Sequence, residues 1–205
     1  MNKLRYFIQQ SWLLMVSAFF FGLLIAIANA AWSPIIERNK AEKLARLMRT
    51  LLPDANSFRL QEKLTIKSQR GEKQVVALYR GLSDANETVG WAFNASGPGF
   101  QDKIELVLAV DPAFEKYAGF AVLSSNETPG FGDKIKTPYF REQFRAAPAE
   151  PLELLKTGDD KKIDSQIVAI TGATVSSESV VNLVNNTALQ IKQQMKQKGL
   201  LPDGR

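Results

Sequence analysis

The residues best suited to chemistry lie in Ile170-Thr171-Gly172-Ala173-Thr174-Val175-Ser176-Ser177, where four hydroxyls and one glycine separate an apolar run from a long helical pattern. The first N–H groups of a helix have no internal acceptor, and the helix dipole adds partial positive charge. A phosphoryl group is therefore stabilised there without Lys or Arg. Small residues also let such a group approach the backbone closely. Taken alone, ordinary capping by Thr and Ser accounts for the same residues, so a ligand reading needs a companion. That companion is Asn126-Glu127-Thr128-Pro129-Gly130-Phe131-Gly132-Asp133-Lys134, with one Pro and two Gly between Glu127 and Lys134. By itself it reads as a solvated turn.

Absent residue types narrow the chemistry further. The chain has Cys 0 and His 0, which removes the usual ligands of zinc, haem iron and iron–sulfur clusters. The same zeros exclude a Cys nucleophile, a Ser-His-Asp triad and a His general base. Carboxylates, Lys, Tyr and a bound organic cofactor remain. Net charge is +5, but opposite charges are interspersed from Glu37 onward, so no nucleic-acid partner is expected.

The elements that must position these segments fit 205 residues as one anchor plus one domain, and 45% hydrophobic content is enough to build a core. Ser11 to Ala31 carries no charge over 21 residues, which at 1.5 Å per residue is about 30 Å, the thickness of a bilayer's hydrocarbon core. Trp12 and Trp32 bracket it, and Lys3 and Arg5 precede it. The length favours a retained transmembrane helix. The other reading is a cleaved export signal ending at Ala28-Asn29-Ala30. Arg38, Lys40, Lys43, Arg46 and Arg49 follow the run, so flanking charge does not set the orientation of a long domain.

Leu44, Leu47, Met48 and Leu51 at helical spacing predict a helix from Ile35 to Leu52, stopped by Pro53. Strands are predicted at Gln74–Tyr79, Thr88–Phe93, Ile104–Val110, Tyr117–Leu123 and Ile163–Ile170. Thr137-Pro138 opens a short helix with Phe140 and Phe144, and Ala146–Pro151 reads as a loop. The last helix places Val180, Val184, Ala188, Ile191 and Met195 on one face and ends near Gly199. The fold class is α+β with a mixed or antiparallel sheet.

The segment Glu127-Thr128-Pro129-Gly130-Phe131-Gly132-Asp133-Lys134, followed about forty residues later by Ile163–Ile170 and Thr171–Ser177, resembles the covalent-FMN domain found in the G subunit of the Rnf electron-transport complex. The C subunit of the sodium-translocating NADH:quinone reductase shares that domain. The likeness covers the anchor and nearly the whole chain. It implies FMN joined through a phosphoester to Thr174, with Thr171, Gly172, Ala173, Ser176 and Ser177 around it. It also implies that Glu127, Thr128 and Phe131 lie against the flavin, Phe131 standing where the family commonly has Leu.

Ser96-Gly97-Pro98-Gly99-Phe100 looks like the family's Gly-rich loop and is equally a hairpin turn. Asp164 matches an acidic position that a flavin-attaching enzyme reads, or simply marks a strand edge. The implied division is a short cytoplasmic segment at 1–10, a transmembrane helix at 11–31, a connecting helix at 32–53 and an FMN-binding domain at 54–205. The implied function is an electron relay without a substrate pocket of its own, inside an ion-translocating ferredoxin:NAD oxidoreductase complex of the bacterial inner membrane. The flavin domain would face the periplasmic or exterior side. Partners so implied are the other Rnf subunits, the membrane and a flavin transferase that uses FAD. Two rival readings are a membrane-anchored module that holds an anionic small ligand reversibly, and a structural membrane protein without a redox role.

Overall fold

The computed structural model describes residues 3–201, with side chains from Gln10 onward. The expected roles of the Lys3 and Arg5 side chains, and of residues 1–2 and 202–205, lie outside the described residues. The chain divides into two compact units, one up to Glu42 and one from Lys43.

Helix α1 (Lys3–Leu51) runs without a break through both stretches expected as separate helices. Pro34 lies inside it, removing the N–H that would bond the Ala30 carbonyl. The apolar stretch leaves Trp12, Leu14, Phe19, Ile25 and Trp32 exposed. The helix is long and apolar enough to cross a membrane and fits a single-pass anchor.

From Lys43 onward the chain builds a five-stranded antiparallel meander in the order β1 (Ser57–Lys67), β2 (Lys73–Leu82), β3 (Thr88–Pro98), β4 (Lys103–Val110) and β5 (Tyr117–Ser125). Successive side chains of a strand point to opposite faces, and the sequence uses both. On the inner face Trp91, Phe93, Ile104, Leu106, Leu108 and Phe120 join one core. On the outer face Ala92, Val107, Ala109, Ala121 and Leu123 pack with Leu44, Met48, Leu51 and Leu52 from the end of α1 and the residue after it. Small residues on that face let the helix end approach the sheet. The compact unit that begins at Lys43 thus takes in the last residues of α1.

Helix α3 (Thr174–Gln197) covers the inner face with Val180, Leu183, Val184, Ala188, Ile191 and Met195, all buried. Full burial of one such aliphatic side chain contributes about 1.5–3 kcal/mol, against about 0.5–1.5 kcal/mol for a hydrogen bond. The apolar stripe thus places the helix, while its polar margin protects the sheet. Gln190 Oε1 accepts the Lys67 N–H at 2.8 Å, and Gln194 Nε2 donates to the Thr65 carbonyl at 2.9 Å. These bonds cap the outer edge of β1, which would otherwise offer itself for pairing.

Strand β1 is absent from the sequence expectation, because a register shift between Leu60 and Glu62 breaks the alternation and only Leu64 and Ile66 are buried. The predicted strand over Ile163–Ile170 shrinks to β7 (Gln166–Val168), which pairs in parallel with β6 (Glu153–Leu155). The last residue of β7 also bonds a side chain: Val168 N–H donates to Gln143 Oε1 at 2.7 Å, and Gln143 Nε2 donates to Val168 O at 3.2 Å.

Thr137-Pro138 opens α2 (Pro138–Arg141), which passes into a 3₁₀ turn at Glu142–Phe144. The Thr137 hydroxyl does not cap α2; it donates to the Lys134 carbonyl at 2.6 Å. Phe140 and Phe144 meet Phe120 edge to face, with centroids at 6.2 and 4.7 Å, which anchors the chain between β5 and β6 on the core.

Candidate functional site

Three loops converge at the start of α3. The first is Gly99–Asp102 between β3 and β4, closed by Gly99 N–H donating to Asp102 O at 2.8 Å. It is a tight hairpin turn, to which only Gly99 and Phe100 of Ser96–Phe100 belong, Ser96–Pro98 being the end of β3. The second follows β5, where the Thr128 carbonyl accepts the N–H groups of Phe131 and Asp133 at 3.2 Å each. The third is Thr171–Ala173, turned by Gly172 at φ +80°, a conformation that favours glycine. A Cβ on Gly172 would lie 3.3 Å from the Phe131 ring, so the second and third loops are in contact.

Glu127, in the second loop, ties the first loop to the first turn of α3. It is 4% exposed. Its Oε1 accepts the Gln101 N–H at 3.1 Å, and its Oε2 accepts the Ser176 hydroxyl. This two-armed acceptor arrangement suits a carboxylate. The glycines around it are required for space: a Cβ on Gly99 would sit 2.4 Å from Oε1, and one on Gly132 would sit 2.8 Å from Oε2 and 2.7 Å from Ser176 Oγ. Thr128 adds a second link, its hydroxyl donating to Gln101 Oε1 at 3.1 Å.

Between the loops lies a cavity of about 450 Å³ lined by Phe100, Thr128, Phe131, Gly132, Gly172, Ala173, Thr174, Val175 and Ser176. Its rim is apolar: Phe100, Phe131 and Val175 are 65%, 55% and 52% exposed. One side is the first turn of α3, whose leading N–H groups point away from any intrahelical acceptor. The volume is within the range of small-molecule sites, about 300–1,000 Å³. Exposed flat rings beside a helix N-terminus suit a ligand that joins an aromatic system to a phosphate, and FMN is such a molecule. The residues present therefore fit it.

The hydroxyls of the motif have separate fates. Ser177 is fully buried beneath the cavity; its Oγ accepts the Ile170 N–H at 3.0 Å and donates to Ala173 O at 2.9 Å. This bond pair fixes the Thr171–Ala173 turn to the helix. Ser176 is committed to Glu127. Thr171 is exposed and is not part of the lining. Thr174, the first residue of α3, is half-buried in the cavity wall, and its hydroxyl makes no hydrogen bond among the described residues.

Of the residues singled out from sequence, Thr128, Phe131, Gly172, Ala173, Thr174 and Ser176 face one space. Glu127 stands behind its wall, and Ser177 stands below. Asp164 is outside the lining: Oδ1 accepts the Gln166 N–H at 2.7 Å and Oδ2 pairs with Lys162 at 2.5 Å. The Lys162 hydrogen bond holds the Asp164 carboxyl below the usual range, and its bond with the Gln166 N–H caps the start of β7. Gly132, Val175 and Phe100 also line the cavity, though the sequence marks them only as members of a turn, a hydroxyl-rich motif and a Gly-rich loop. Large apolar side chains inside turn motifs were the available signal.

Comparison with known proteins agrees with this architecture. The FMN-binding domain family matches residues 99–189, a span that holds all three loops. Solved structures similar in fold are NqrC of Shewanella oneidensis, with TM-score 0.54 and 20% identity over 69% of this chain and 73% of that one, and the C subunit of the Na(+)-translocating NADH-quinone reductase of Parabacteroides distasonis, with TM-score 0.57 and 16% identity over 81% and 94%. In sequence the chain is 31% identical to the G subunit of the proton-translocating ferredoxin:NAD(+) oxidoreductase complex of Clostridium ljungdahlii, over 87% of this chain and 88% of that one. It is 30% identical to the G subunit of the ion-translocating oxidoreductase complex of Methanosarcina acetivorans, over 80% and 82%. Identity at that level across nearly the full length places the chain in the family of G subunits of ion-translocating, Rnf-type oxidoreductase complexes.

Proposed function

We propose that this protein is a membrane-anchored flavoprotein subunit that passes electrons through FMN joined by a phosphoester to Thr174, within an Rnf-type complex. The observation that carries the reading is the position of Thr174. Among the hydroxyls of the Thr171–Ser177 motif, it has a place in the cavity wall and, among the described residues, makes no internal hydrogen bond. Ser176 and Ser177 are already engaged, and Thr171 faces solvent.

The first N–H groups of α3 would hold the phosphate, and Phe100, Phe131 and Val175 would hold the ring system. When bound, FMN supplies one- and two-electron chemistry that a chain with Cys 0 and His 0 does not carry in its side chains. The chain's own part is to hold the group beside a membrane, to fix the β3–β4 turn to the start of α3 through Glu127 and to keep the apolar rim open for electron exchange. A covalent tether keeps the flavin irrespective of its affinity, which suits a domain on the exterior side.

The same reading names the remaining partners: the other subunits of the complex, as the relatives' names imply, and a transferase that delivers FMN from FAD. The span at 11–31 anchors the chain, and protease access in spheroplasts tests its orientation.

The decisive experiment is coexpression of the full chain with a flavin transferase, followed by denaturing-gel fluorescence and mass analysis of the peptide holding Thr174. The expected mass gain is one FMN less one water. Thr174→Val abolishes both signals and leaves the stability within about 0.5 kcal/mol of wild type, because the hydroxyl has no internal partner. Flavin that washes away on denaturation would instead mark a reversible binding module.

A further inference from the structure

The Glu127 carboxylate is buried directly behind the cavity wall. Gly132 and Ser176 line the cavity, and both touch the carboxylate: Oε2 accepts the Ser176 hydroxyl, and a Cβ on Gly132 would be 2.8 Å from the same oxygen. Among the described residues no Lys or Arg forms an ion pair with Glu127. Its support is two hydrogen-bond donors, from Gln101 and Ser176, and the partial positive charge at the start of α3. The arrangement also sets the polarity of Ser176. Its proton is spent on Glu127, so toward the cavity its oxygen offers only lone pairs. A cavity wall built this way presents negative charge and an acceptor, in a region where burial weakens dielectric screening.

We propose that Glu127 is a positioning and tuning residue that keeps the reduction potential of a flavin held in this cavity low. Adding an electron to a bound group places negative charge beside a fixed negative charge, and the reduced form is disfavoured accordingly. This inference rests on the flavin reading above, but it concerns Glu127 and Ser176 and not the attachment bond. A neutral amide at position 127 keeps the shape and both hydrogen-bonding arms, removes the charge and frees the Ser176 hydroxyl to turn.

The test is a spectroelectrochemical titration of the full chain, purified in detergent after coexpression with the transferase, as wild type, Glu127→Gln and Ser176→Ala. The expected result is a flavin midpoint shifted to more positive potential in E127Q, with no positive shift in S176A, which retains the carboxylate. An unchanged midpoint in folded, flavin-loaded E127Q overturns the proposal. So does an equal positive shift in S176A, which would assign the effect to the hydroxyl. If E127Q does not fold, Glu127→Asp decides. It keeps the charge but draws it back from Ser176 and the cavity wall, so a positive shift supports the proposal and a wild-type midpoint overturns it. If the gel shows no covalent flavin, the same titrations are run with FMN added to saturation. Failure of the Thr174 bond and failure of the tuning role are thereby read separately.

Discussion

Replacing Ser177 with Ala removes a side chain that joins the Thr171–Ala173 turn to α3 from below. The hydroxyl is fully buried, accepts the Ile170 N–H at 3.0 Å and donates to the Ala173 carbonyl at 2.9 Å. The carbonyl keeps a partner, since the Ser177 N–H also donates to it at 3.0 Å. Ile170 has no such reserve: it is 3% exposed, so its N–H is left dry and unpaired. An orphaned buried donor costs about 1–3 kcal/mol. For a domain of this size each kcal/mol lowers the melting temperature by about 2–4 °C, giving a fall of roughly 2–12 °C in S177A.

Thermal unfolding of the full chain in detergent, followed by near-ultraviolet circular dichroism, measures this directly. Covalent flavin on a gel should persist in S177A below its melting point, because Thr174 is untouched. The pair S177A and T174V thus dissociates two roles in one motif: the first loses stability and keeps flavin, the second does the reverse. A melting temperature for S177A equal to wild type would refute the claim that Ser177 satisfies Ile170.

Two further outcomes follow from the geometry of the loops. Gly132→Ala puts a Cβ 2.7 Å from Ser176 Oγ and 2.8 Å from Glu127 Oε2; the overpacking costs about 1–3 kcal/mol, and the variant should melt earlier and carry less flavin per chain. At low pH, Asp102 is informative. The Asn126 amide, and then the Lys103 N–H, hold its carboxyl below the ordinary value of 3.8. A depressed acid contributes stability that is complete above 3.8 and is lost as pH falls through the lower folded-state value. An NMR titration should therefore show Asp102 ionising below 3.8, and Asn126→Ala should move it upward toward that value.

Much of the molecule was legible in short-range patterns. The charge-free run at 11–31, the helical stripe of α3 and the alternations of β3, β4 and β5 depend on residues a few positions apart, and the structure contains a helix or strand at each. The hydroxyl-rich start of α3 was legible for the same reason, since the unpaired N–H groups of a helix start are a local property. What those patterns could not carry was which hydroxyl is free. Ser176, Ser177 and Thr174 look alike in sequence. They differ because Glu127, 49 residues away, takes one, and because Ile170 and Ala173 take another.

Long-range packing decided the remainder. β1 is an edge strand interrupted by a shift of register, so it has no clean alternation, and its outer edge is satisfied by side chains of α3 more than 120 residues on. The end of α1 belongs to the domain because an alanine-rich sheet face receives it. Phe100 reaches the cavity only once the β3–β4 turn is held beside the first turn of α3 through Glu127. Local sequence determines what each segment can become, because capping, alternation and apolar periodicity act over a few residues. Tertiary structure determines which polar groups are paired, because a buried donor finds its acceptor by proximity in space and not along the chain.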